Sequence, residues 1–334
     1  MNKFELFQKH INHKYSNKLT INLSPPSSFR CRSEFSYKDN HYVMHDKNKK
    51  IYMTSFSNAS NTIQKVMPKL LNEINDSNSI KDKLFQINFR SNKNNKVMVT
   101  LIYHKNVESL VDRIKVISKK LNIQIILRSK KYFFSTNDLF FEDRLNFQNL
   151  KIYQTDNCFY QPNKFLVDKM ISKVIDFIES PKDLLELYCG VGTFTLPLST
   201  VFNKVLATES DRNSIKCLYN GLDVNDISNV DHARLSANEV TLLIRGKEFR
   251  RMKNNKISDY DFSHILVDPP RSGLTNEVIE IVKDFKNIIY ISCNPDTYIR
   301  DINLLQNHNI NKIELFDQFP NSEHLEIVSI LSKN

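Results

Sequence analysis

The sequence predicts a two-part α/β protein, with a basic α+β domain over residues 1–160 and a doubly wound α/β sheet over residues 161–334. Three observations carry this reading. From about residue 160 onward, apolar runs of strand length alternate with segments of helical spacing. Before that point strands and helices mix without regular alternation. Charge divides at nearly the same place: residues 1–165 hold 28 Lys and Arg against 13 Asp and Glu, and the remainder holds 19 against 24. The 334 residues suffice for two cores.

In the first half, Phe29–Phe35 and Val97–Tyr103 alternate apolar and polar positions, as half-buried strands do. Ala59–Glu73 and Val107–Leu121 have helical spacing. Ser24-Pro25-Pro26-Ser27 reads as a turn and Asn92–Lys96 as a hairpin loop. The second half opens with an amphipathic helix, Asn163–Ile178. Strand Asp183–Tyr188, helix Thr193–Val201, strand Lys204–Thr208 and helix Arg212–Asn225 follow. Next come a strand near Val230–Arg234, a helix reaching Arg245, strand Ser263–Val267, helix Asn276–Asp284, strand Asn287–Ile291 and helix Pro295–Gln306. Strands Lys312–Phe316 and Glu326–Leu331 end the chain with no helix between them, which suits an antiparallel edge pair. Seven strands with that ending resemble the Rossmann-like methyltransferase fold.

Composition narrows the function classes. No apolar run reaches membrane-spanning length, and Met1-Asn2-Lys3-Phe4-Glu5 lacks the apolar core of a signal peptide. The five cysteines, at 31, 158, 189, 217 and 293, are scattered and odd in number. That argues against a disulfide framework, structural zinc or an iron–sulfur cluster, and fits a reducing cytoplasm. A basic half joined to a mildly acidic half points to a polyanion on one side, nucleic acid rather than membrane, and a different task on the other.

Four motifs carry chemistry. Leu184 to Phe194 reads strand, glycine loop, helix start: Gly190 allows the tight turn and Gly192 lets a ligand approach the backbone. Thr195 replaces the third glycine of a dinucleotide fingerprint, so a nucleoside cofactor other than NAD is expected. Glu209 ends the next strand, where an acid would grip ribose hydroxyls. In the second motif, Asp268 ends a strand and Pro269-Pro270 fix an extended loop at the sheet's carboxyl edge, with Arg271 placed to meet a phosphate. The third puts Cys293 between the run Ile288–Ser292 and a helix with Asn294 as N-cap and Pro295 at N1. Such a thiol is either a buried structural cysteine or a nucleophile favoured by the helix N-terminus. The fourth, Phe316 to Glu326, offers candidate bases: Glu326 at the mouth of an apolar strand, or Glu323 and His324 facing solvent.

Together, Glu186-Leu187-Tyr188-Cys189-Gly190-Val191-Gly192, Val267 to Leu274, Tyr290 to Pro295, and Phe316 to Pro320 followed by His324 and Glu326 resemble the RNA uracil-5-methyltransferases. Phe29 to Phe35, Leu101 to Lys105 and Gln161-Pro162-Asn163 are similar to the tRNA branch of that family. Ribosomal relatives typically add a barrel domain or a four-cysteine iron–sulfur motif, and this chain has neither.

The resemblance implies a Rossmann-like seven-stranded methyltransferase domain behind an RNA-binding domain. It implies S-adenosylmethionine as methyl donor, no metal, the T arm of tRNA as partner, and a monomer. Gln161, Tyr188, Glu209 and Asp268, with the loop Gly190-Val191-Gly192-Thr193, would hold the donor. Cys293 would be the nucleophile and Glu326 the base, while Arg30, Arg32, His104 and Arg271 would face RNA. At the position of Thr193 the family usually carries Asn, and a hydroxyl replaces only part of an amide's hydrogen bonding. The implied reaction is methylation of the T-loop uridine 54. Alternatives are a ribosomal-RNA uracil-5-methyltransferase or a tRNA-folding protein.

Overall fold

The computed structural model describes residues 2–46, 49–253, 255–320 and 322–333. Its larger sheet has eight strands, in the order Thr20–Asn22, His308–Phe316, Glu326–Lys333, Asn287–Ser292, Phe262–Val267, Asp183–Leu187, Lys204–Thr208 and Val230–Ala233. All run parallel except Glu326–Lys333, which is antiparallel to both neighbours. Every residue of Asp183–Leu187 is buried, because helices cover both faces, so the strand reads as an apolar run rather than an alternation. Helices Val167–Phe177 and Arg212–Val224 pack on one face. Helices Lys3–Ile11, Ala237–Ile244, Asn276–Val282 and Pro295–Leu304 pack on the other. Full burial of a Leu or Ile here contributes roughly 1.5–3 kcal/mol.

The smaller body is a seven-stranded sheet ordered Lys49–Met53, His41–Asp46, Arg32–Lys38, Leu84–Ser91, Val97–Tyr103, Gln124–Arg128 and Phe133–Ser135. Helices Asn61–Asn75 and Val111–Leu121 share one apolar core with it. The expected hairpin loop at Asn92–Lys96 joins its two central strands, closed by the Lys96 N–H donating to Asn92 Oδ1 at 2.9 Å.

Several details differ from the sequence expectation. The main sheet has an eighth strand, Thr20–Asn22, which borders His308–Phe316 and moves the terminal strand pair off the edge. Together with helix Lys3–Ile11, this strand belongs to the larger body, so the smaller sheet is inserted in a chain that starts and ends in the same core. The pair Phe141–Arg144 and Lys151–Gln154 also packs on the larger body, through Ile152 and neighbouring Leu145 and Leu150. Phe141 itself is buried against Met98 and Ile126 of the smaller sheet, so this strand pair bridges the two bodies. Finally, the amphipathic helix begins at Val167, not Asn163, because Asn163 is spent on loop anchoring: its amide donates to Ser24 Oγ and to the Gln318 carbonyl.

Candidate active site

Parallel register lines up the site. Leu187 pairs with both Thr208 and Val267, so Tyr188, Glu209 and Asp268 emerge side by side just past the carboxyl ends of three strands. Strand order reverses between Asp183–Leu187 and Phe262–Val267, opening the crevice in which doubly wound sheets bind ligands. Two strands over, Ser292 pairs antiparallel with Ile327, which sets Cys293 opposite Glu326.

The glycine loop turns sharply after its strand, with left-handed backbone at Tyr188, Gly190 and Gly192. The Gly190 N–H donates to Glu209 Oε2 at 3.1 Å, and the Asp211 N–H donates to Oε1 at 2.8 Å, so the acid is docked onto the loop. A methyl on Gly190 would meet nothing within 4 Å, whereas one on Gly192 would lie 2.6 Å from Leu218 Cδ1. The loop thus packs on helix Arg212–Val224 at one glycine and leaves open room at the other. Gln161 is buried, and its Oε1 accepts from Gln318 Nε2 at 3.2 Å; the buried Gln318 Oε1 has no partner. Open room at Gly190, the Glu209 carboxylate and a buried amide pair suit the hydroxyls and polar tail of a nucleoside cofactor. Thr193 is buried in the same loop.

Cys293 is half-buried at the tip of its strand, and the following helix is capped as the sequence predicts: the Asp296 N–H donates to Asn294 Oδ1 at 3.1 Å, and Pro295 follows the cap. The Asn294 amide donates to the Arg271 carbonyl at 2.8 Å, which ties this cap to the Asp-Pro-Pro-Arg loop. Fully buried Asp301 adds a second tie, accepting from Tyr290 Oη at 2.6 Å and from the Leu274 N–H at 2.8 Å.

The electrostatics of the thiol run opposite to the helix-terminus expectation. Burial pushes Cys293 up to about 11, helped by Glu326 and Asp268, while Arg271 pulls it down. A helix N-terminus contributes only a partial charge, and desolvation beside two carboxyls outweighs it. Burial first, then Asp268, holds Glu326 well above the ordinary carboxylate range, with Arg271 opposing. Asp268 is raised by burial and by Glu209. Of the three candidate bases in the fourth motif, Glu326 is buried and faces Cys293, whereas Glu323 and His324 are exposed. Asn321 in that motif lies outside the described residues.

A cleft of about 350 Å³ opens onto the thiol, lined by Cys293, Asn294, Arg271, His324, Lys3 and His10. Arg271 lines it, with Nη2 3.4 Å from His324 Nε2, and Arg30 stands nearby, its guanidinium 5.4 Å over the Phe319 ring that packs against His324. Burial, then Arg271, Lys3 and Arg30, lowers the His324 pKa. Arg32 is two residues from Arg30 but is paired with Glu34. His104 is not brought to the cleft. It packs edge-on against Phe85 at 4.5 Å, at the far end of strand Leu84–Ser91, roughly 20–25 Å from the end that meets the larger body.

Sequence reasoning passed over three polar residues. Glu186 is buried in its strand, pushed up to about 8 chiefly by desolvation, and its Oε2 is unpartnered. A charged residue inside the run Leu184-Leu185-Glu186-Leu187 was the available signal. Gln318 sat inside a motif without an assigned role. Lys3, at the start of the first helix, had no local signal. Among the described residues no group of three or more His, Cys, Asp or Glu is arranged to hold a metal ion. No helix among them is long and apolar enough to cross a membrane.

A doubly wound sheet with one antiparallel strand, a glycine loop docked on an acid, and a cysteine facing a carboxyl at the next strand ends define a Rossmann-like methyltransferase. A sequence model of the family described as tRNA (Uracil-5-)-methyltransferase matches residues 1–334. The tRNA/tmRNA (uracil-C(5))-methyltransferase of Campylobacter concisus is 38% identical over 335 residues, covering 97% of this chain and 91% of the relative. That of Campylobacter lari is 41% identical over 325 residues (93% and 92%), and that of Acinetobacter baylyi 39% over 321 residues (91% and 89%). Among solved structures, Pyrococcus abyssi tRNA (uracil-54, C5)-methyltransferase in complex with S-adenosyl-L-homocysteine superposes with a TM-score of 0.77 at 22% identity, over 98% of this chain and 82% of that one. The chain belongs to the tRNA (uracil-5-)-methyltransferase family.

Proposed function

We propose that the protein methylates C5 of the T-loop uridine, position 54, of tRNA through a covalent Cys293 adduct. The observation that carries this is the placement of Cys293 opposite Glu326, beside Asp268 and below the Arg30–Arg271 patch. Family membership supports the reaction class. The Pyrococcus relative, named for uracil 54 and bound to the demethylated donor, supports the position and the donor.

S-adenosylmethionine supplies an electrophilic methyl group on a sulfonium sulfur. Gln161, Tyr188, the Gly190–Thr193 loop, Glu209 and Asp268 would hold it with that methyl directed toward the crevice. Uracil C5 is a poor nucleophile, so the site must first raise its electron density. The Cys293 thiol loses its proton to a neighbouring carboxylate or to water, and the sulfur bonds to C6. The C5–C6 electron pair moves toward C5 and O4, and C5 takes the methyl. An ionised Glu326 then removes the C5 proton, the C5=C6 bond re-forms, and the thiolate leaves. A base inside a folded loop must leave its stack to reach the thiol, so the basic patch is assigned to the flanking phosphates.

Unmodified tRNA incubated with protein and methyl-labelled donor is expected to yield 5-methyluridine at position 54. Label confined to other positions, or to ribosomal RNA, overturns the substrate assignment. Cys293→Ala is expected to abolish transfer, and Glu326→Gln to accumulate a protein–RNA adduct that survives denaturing gels. The Campylobacter relatives are named for tmRNA as well, and the same assay on that RNA measures the range.

A further inference from the structure

We infer that Lys3 is a positioning residue for the proton-removing step, because it pins the loop that delivers Glu326. This rests on the covalent mechanism proposed above. Lys3 starts helix Lys3–Ile11, more than three hundred residues from the loop in sequence. Its three N–H groups are shared among four acceptors, Asp317 Oδ1 at 2.6 Å and the carbonyls of Phe319, Ser322 and His324 at 3.2, 3.0 and 2.9 Å. Four acceptors from one loop turn inward onto a single cation, and Lys3 and Asp317 are each only 12% exposed. The Phe319 carbonyl keeps the Ser322 hydroxyl at 2.8 Å when the ammonium is removed, but the Ser322 and His324 carbonyls and Asp317 Oδ1 lose their cation, so this end of the loop must rearrange or admit water.

That loop connects strand His308–Phe316 to Glu326–Lys333 and carries both Phe319, under Arg30, and His324, beside Arg271. Its last residues, Leu325 and Glu326, are buried. Glu326 is the first residue of its strand and pairs with Phe316, so its place depends on how the preceding loop ends. The helix bearing Lys3 is itself fixed: Phe7 and Ile11 are buried in the core, and Phe7 lies 6.1 Å from the ring of Tyr298 on the helix that follows Cys293. Lys3 therefore couples the cysteine side of the cleft to the base side. Geometric misplacement of about 1 Å at a reacting group can cost on the order of a hundredfold in rate.

The test measures three quantities with tRNA carrying tritium at uracil C5: tritium release, methyl transfer from labelled donor, and adduct on denaturing gels. Lys3→Met removes the charge and keeps the length. It is expected to slow tritium release by about ten- to a hundredfold and to accumulate adduct as Glu326→Gln does. Donor affinity, read at the separate Glu209–Gly190 site, should change less than twofold. Lys3→Arg keeps a cation and is expected to recover part of the rate. Wild-type release with Lys3→Met within twofold of it, or slowed without adduct, overturns the inference. Absence of tritium release from wild type overturns the proposed mechanism instead. Loss of donor affinity in Lys3→Met shows a general folding role, and the positioning assignment fails on that outcome as well.

Discussion

Cys293 lies where a positive helix terminus and two carboxyls compete, and the carboxyls, with burial, prevail. In the free protein its thiol is pushed up to about 11, so at neutral pH it is protonated. Since the thiolate is the nucleophile, alkylation by a neutral reagent should rise about tenfold per pH unit across the range below that value. Mapping iodoacetamide-modified peptides between pH 6.5 and 9.5 isolates Cys293 from the other four cysteines, which are buried. The sign follows from the neighbours: Glu326→Gln removes a carboxylate that raises the thiol, so its alkylation should be faster wherever in that range Glu326 is ionised, and most clearly at the alkaline end. A flat profile, or slower alkylation in Glu326→Gln, contradicts the electrostatic picture. At this scale the sequence exposed the residue types and their order but misjudged the thiol's protonation, because desolvation depends on what packs around the strand tip. Lys3 was overlooked for a related reason: its partners lie on a distant segment.

At the scale of elements, the loop Tyr188–Thr193 shows how two glycines of one motif divide the work. Gly192 has φ +92° and no room for a side chain against Leu218, while Gly190, at φ +56°, faces open space. Gly192→Ala should therefore lose about 1–3 kcal/mol of stability from backbone strain together with the clash. Gly190→Ala should lose less and act mainly on donor binding. Denaturant midpoints of both variants, with donor affinity measured separately, check the order; equal stability losses would contradict it. The sequence reading gave the ligand approach to Gly192, whereas the open room lies at Gly190 and Gly192 closes on Leu218, a contact with a distant helix that no local signal announces. It overextended two helices. Thr193–Val201 shortens to Thr195–Leu198 because the loop takes the first residues, and residues 163–166 become an anchored turn because Asn163 bonds across to Ser24 and Gln318.

At the scale of the whole molecule, basic charge concentrates in residues 1–165, yet few of the named cations reach the cleft. Arg271 does, Arg30 stands beside it over Phe319, Arg32 is held by Glu34, and His104 lies at the far end of the smaller sheet. RNA affinity should fall steeply with salt, as phosphate-dominated binding does. Arg271→Ala is expected to reduce the slope of log affinity against log salt by about one, while Arg32→Ala leaves it nearly unchanged. Equal effects from both would show that the RNA path extends over the smaller sheet beyond the patch at the thiol.

The sequence by itself determined the doubly wound sheet, the glycine loop with its acid, and the order of Asp268, Cys293 and Glu326, because strand–helix alternation and turn chemistry are local signals. Only the tertiary structure decided that strand Thr20–Asn22 completes the main sheet, that the smaller sheet is an insertion, and that Lys3 holds the loop before Glu326. A three-residue edge strand and a lone lysine have no periodicity to announce them. Their partners are brought close only when the two ends of the chain pack into one core.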